Sequence, residues 1–95
     1  MSDDIEDLAI QNTALLFGGE TTLIQKDSVI NWIENQVFHL LNNDFNGLIN
    51  ILYRIDVYES KAKDCFGKQN KEIARCLALL IWERQLEKIK RRRSD

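Results

Sequence analysis

Apolar residues recur along this chain at intervals of three and four rather than two, the spacing that places them on one face of a helix. At about 100° per residue, Val29, Ile30, Ile33, Val37, Leu40 and Leu41 share one face of a segment that starts at Asp27 or Ser28 and runs to about Asn42. Asn31, Asn35, His39 and Asn42 lie opposite, and Trp32 and Phe38 flank the apolar arc. A second helix, Asp44 to Ile55, gathers Phe45, Leu48, Ile49, Ile51, Leu52 and Ile55 on one side and leaves Asn46, Gly47, Asn50 and Arg54 on the other. A third is expected after Asp56, whose carboxylate would cap it while Glu59 reaches back, and it should stop at Gly67.

The last helix is the longest, from near Asn70 to Ile89 or beyond, and its apolar stripe changes sides. Ile73, Ala74, Leu77, Leu80 and Ile81 fall together in the first half, whereas Ala78, Leu79, Trp82, Leu86 and Ile89 fall nearly opposite. One core in so small a domain covers one face. The second stripe therefore predicts a homodimer through Leu79, Trp82, Leu86 and Ile89, in preference to an N-terminal segment folded back over it. Arg84 sits inside the first stripe, where a cation needs a partner, and Asp56 in the preceding turn is the expected one.

Residues 1–26 read less clearly. Ile5, Leu8, Ala9, Leu15 and Leu16 fit one helical face ended by Gly18, but the runs Thr13 to Phe17 and Glu20 to Ile24 around Gly18 and Gly19 also fit a hairpin. Helix followed by loop is the favoured reading, because a lone hairpin is only marginally stable.

Composition supports an all-α fold, a small bundle of four to five helices in one domain over residues 1–95. Proline is absent, and 44% hydrophobic with 29% charged residues is ordinary for a globular domain. The longest apolar run, Cys76 to Trp82, falls far short of the about 18 residues that cross a bilayer. With an acidic start and no basic leader, the expected setting is cytoplasmic, with no membrane partner. In that setting Cys65 and Cys76, eleven positions apart, are expected as buried thiols rather than a disulfide or zinc ligands.

Little chemistry is visible. His39 lies on a polar face without an orienting carboxylate, no phosphate loop or catalytic motif occurs, and Asp3, Asp4, Glu6 and Asp7 suit the positive end of a helix better than a metal. No catalytic, metal or cofactor residue is expected. A net charge of −2 gives nucleic acid no overall attraction, so the basic cluster Lys88, Lys90, Arg91, Arg92 and Arg93, leading into a basic tail over residues 90–95, is the local exception. Helix-end electrostatics and a Glu87–Arg91 pairing account for most of it, and a phosphate-contacting arm is the alternative. A helix-turn-helix over Asp44 to Gly67 is disfavoured, since Lys61 and Lys63 are balanced by Glu59 and Asp64.

Leu52-Tyr53-Arg54-Ile55-Asp56-Val57 with Glu59 and Lys61, followed by Glu83-Arg84-Gln85 with Lys88, resembles a family of short bacterial helical proteins that share an LYRIDV-x-E-x-K … ERQ-x-x-K pattern. The resemblance spans about Asn42 to Arg92 and implies a small, cytoplasmic, bacterial protein. It carries no activity and transfers no site residue. The sequence thus leads to a non-catalytic helical interaction or structural module that forms a homodimer, with a nucleic-acid-associated regulator using the basic cluster as the alternative.

Overall fold

The computed structural model describes residues 5–18 and 25–93. Among them are five α-helices: α1 (Ile5–Leu16), α2 (Val29–Asn43), α3 (Phe45–Arg54), α4 (Glu59–Phe66) and α5 (Asn70–Arg93). A single 3-10 turn, Lys26–Ser28, leads into α2. The expected all-α bundle with a long C-terminal helix is what forms.

α5 is the hub, since α1, α2 and α4 all pack against it while α3 packs mainly on α2. Its buried positions, Ile73, Ala74, Leu77, Ala78, Ile81, Gln85 and Ile89, follow one line at intervals of three and four. That line draws on both stripes read from the sequence, so the two are parts of one wide buried face. Val29, Ile33 and Val37 of α2 and Leu48, Leu52 and Ile55 from α3 and its end complete the core. Arg75 of α5 reaches back to Asn31 and Glu34 of α2, both at 3.1 Å, on the outside of this packing.

The N-terminal segment folds back. α1 lies on α5, and the faces it uses differ from the expected ones: Ala9, Ile10, Thr13 and Ala14 are buried, whereas Leu8 and Leu15 are exposed. Small side chains let two helices approach closely, and the Thr13 hydroxyl is satisfied by donating to the Ala9 carbonyl at 2.7 Å. Thr13 to Phe17 is therefore helix and turn, not a hairpin strand; Glu20 to Ile24, with Asp3 and Asp4, lies outside the described residues. Gly18, at φ +76°, closes α1 in the left-handed conformation, and its N–H bonds the Leu15 carbonyl. Phe17 then meets Trp32 of α2 edge to face at 5.8 Å.

Asp44 joins α2 to α3. Its N–H closes α2 on the Leu40 carbonyl at 2.7 Å, and its carboxylate accepts from the Gly47 N–H at 3.0 Å, opening α3. The far end of α3 corrects the sequence reading. Asp56 does not cap α4, where Tyr58 occupies the N-cap position without a side-chain bond. It sits instead at φ 60°, with its N–H on the Tyr53 carbonyl and the Val57 N–H on the Leu52 carbonyl. Those two bonds around a left-handed residue form a Schellman motif, with Leu52 and Val57 as its apolar pair.

Candidate functional site

An apolar groove opens between α3 and α4. Phe45, Ile49 and Tyr53 line its α3 side, Ala62 and Phe66 its α4 side, and Val57 its closed end, around a cavity of about 260 Å³. The chain builds it from ordinary parts. Phe45, Ile49 and Tyr53 recur every four residues and so run along one edge of α3, while Leu48, Ile51 and Leu52 turn into the core. The Schellman turn then sends the chain back so that α4 walls the opposite side.

Phe45 keeps 48% of its surface exposed and Tyr53 72%, high values for aromatic residues on so small a domain. The Phe45 and Phe66 rings meet edge to face at 5.6 Å across the open end. Glu59 and Lys63, one turn apart on α4, stand at the rim and have no ion-pair partner among the described residues. The groove is therefore apolar within and charged at one lip, a form suited to an apolar partner surface.

The residues singled out in the sequence lie elsewhere. Of the expected interface, Ile89 is 4% exposed and buried inside the chain, Trp82 and Leu86 are half-buried, and only Leu79 is open. α1 packs on α5, and of the second apolar stripe Ala78 and Ile89 are buried within the chain. The Asp56–Arg84 ion pair does not form. The Arg84 Nε donates to the Ile55 carbonyl at 2.9 Å and its Nη1 meets Glu87 at 3.2 Å, while Asp56 is exposed. The guanidinium thus reaches the turn that the sequence indicated, but takes a backbone oxygen one residue earlier, where the end of α3 presents its negative pole.

The two thiols are also corrected, because Cys65 and Cys76 form a disulfide with Cα atoms 5.5 Å apart. It ties the end of α4, next to the groove residue Phe66, to the first half of α5. His39 is exposed beside Asn43, as its polar neighbours imply. Among the described residues no cluster of His, Cys, Asp and Glu could hold a metal, and no helix is long and apolar enough to cross a membrane.

The basic cluster divides. Lys88 and Arg92 line a separate cleft with Arg54, Lys90 and Arg91 have partners of their own, and the Arg93 side chain lies outside the described residues.

No family model, curated protein or solved structure matches the chain, so its own residues carry the functional reading.

Proposed function

We propose that this chain is a non-catalytic interaction module that forms a twofold homodimer through the α3–α4 groove. The observation that carries the reading is the register of Phe45, Ile49 and Tyr53. Phe45 and Tyr53 stand four residues either side of Ile49, so two copies of α3 laid antiparallel about Ile49 bring each Phe45 opposite the partner copy's Tyr53. The two rings are separated along one helix by about 12 Å, enough for each protruding Tyr53 to enter the Phe45 end of the opposite groove. A twofold contact requires this self-complementarity. The lip adds to it, since the unpaired Glu59 of one copy can meet the unpaired Lys63 of the other. A cytoplasmic setting belongs to the reading, and there the thiol pool would reduce the Cys65–Cys76 bridge to two thiols, because reducing pools keep most thiols free.

Sedimentation equilibrium tests the proposal. The wild type should show twice the 11.1 kDa of one chain, Tyr53→Glu should revert to a single chain, and Tyr58→Glu, exposed outside the groove, should remain dimeric. Ile49→Cys should cross-link chain to chain under mild oxidation, and Asn46→Cys should not. A wild type that sediments as one chain at millimolar concentration overturns the reading.

A further inference from the structure

We propose that the cleft between α1, the end of α3 and the second half of α5 binds a small phosphate monoester. Arg54, Lys88 and Arg92 reach it from two elements, Asn12 and Leu16 from a third, and its volume is about 330 Å³. No acidic residue among the described residues lines it. None of the three cations has an ion-pair partner among the described residues, in contrast to Arg75 and Arg84.

Helix-end electrostatics account for a cation at Arg54 and another at Arg92, each near the last turn of its helix. They do not account for the rest. Lys88 and Arg92 are one turn apart on the same face of α5, where two like charges repel in the absence of an anion. Gln85, one turn before Lys88, is 5% exposed, lines the same cleft and has no hydrogen-bond partner for its amide among the described residues. No fully buried side-chain nitrogen or oxygen among the described residues lacks a partner, so the Gln85 amide is not sealed from solvent. An unpartnered amide held almost entirely inside the protein beneath three free cations is an arrangement completed by a ligand rich in acceptors.

A phosphate monoester supplies that set. Two of its oxygens can take the planar fork of a guanidinium, a third can take the Lys88 ammonium, and the ester oxygen lies within the class of acceptors the Gln85 and Asn12 amides can serve. Leu15, 64% exposed, and Leu16 form an apolar wall beside the cations, suited to a compact or planar carrier such as a nucleoside. An extended nucleic-acid backbone is the poorer match. Lys90 and Arg91, which a strand tracking the helix would need, are engaged within the chain, and the cations converge on one spot instead of spreading along a line.

Titration calorimetry on the whole chain decides it, with adenosine 5′-monophosphate, adenosine, inorganic phosphate and a single-stranded twenty-nucleotide DNA as probes. The variants are Arg54→Gln with Lys88→Gln, and as a control of equal charge Lys68→Gln with Lys71→Gln, both remote from the cleft. The expected result is saturable one-to-one binding of the monophosphate, weaker binding of phosphate and none of adenosine. Affinity should fall by about a hundredfold in the cleft variant, which loses two charge-assisted contacts at about tenfold each, and stay unchanged in the control. Three results overturn the proposal: no saturable binding of monophosphate, equal binding in both variants, or binding confined to the DNA. Circular dichroism of each variant confirms that the helices persist, and Gln85→Glu gives a second reading, because a carboxylate there should abolish monophosphate binding without removing a cation.

Discussion

Replacing Arg84 with methionine keeps most of the buried stem and removes only the polar head, so it isolates what the guanidinium does. The Arg84 side chain is 16% exposed, and its Nε bond to the Ile55 carbonyl is 2.9 Å long. A hydrogen bond from a charged donor to a partly buried acceptor contributes about 1.5 to 3 kcal/mol, and losing it leaves the last carbonyl of α3 poorly solvated. The Glu87 side of the pair is 58% exposed, so solvent screening reduces that contact to at most about 0.5 kcal/mol. Arg84→Met should therefore cost about 2 kcal/mol in urea unfolding, which for a chain of this length lowers Tm by about 8 to 16 °C. Glu87→Ala should cost at most a quarter of that. Combining Arg84→Met with Asp56→Ala should give additive losses, because the two side chains do not meet. A coupling above about 0.5 kcal/mol between residues 56 and 84 would refute the backbone role of Arg84 and restore an ion pair. So would equal losses from Arg84→Met and Glu87→Ala, in that case in favour of the surface contact.

Asp56→Gly should raise stability by about 0.5 to 1 kcal/mol in the same assay, because glycine adopts the left-handed conformation at φ 60° without a Cβ penalty. Gly47→Ala should lower it by about 1 kcal/mol, since the new methyl meets the Asp44 carboxylate and displaces the cap that opens α3; Asp44→Ala should lose a similar amount, and the double variant little more. Reducing the Cys65–Cys76 bridge should cost about 3 kcal/mol by the loop-entropy relation for a closure of eleven residues, read as a lower thermal midpoint in reductant and reproduced without reductant by the double serine variant.

Periodicity made α2, α3 and α5 legible, because each carries a continuous apolar arc that has to be buried somewhere. It could not say which neighbour buries it. The arc of α3 includes Phe45 and Ile49, which the wheel assigns to the core, yet among the described residues no helix closes over them and they become a groove wall. On α1 the wheel favoured leucines, whereas close approach to α5 selects Ala9, Thr13 and Ala14, where lack of bulk is the useful property. Asp56 looked like a helix start because aspartate usually is one. Its left-handed conformation follows from the backbone bonds of the turn, which leave no trace in composition. The disulfide escaped for a related reason: eleven residues of separation mean nothing until a turn at Gly67 folds α4 onto α5 and brings the two sulfurs together. Of the basic cluster, sequence supplied Lys88 and Arg92, while Arg54 and Gln85 join them only through the packing.

The position of the hub at the C-terminal end of the described chain bears on how the protein is born. α1, α2 and α4 lack their main packing partner until α5 follows them from the ribosome, and at about 5 to 20 residues per second its 24 residues take about 1 to 5 s to synthesise. For that interval the faces of α1, α2 and α4 that will meet α5 are uncovered in the nascent chain, open to chaperones and to the same faces on neighbouring nascent chains. Folding is thus a late, concerted event in which the last helix gathers the others, and shortening α5 should harm yield in the cell more than its effect on the finished protein's stability would suggest.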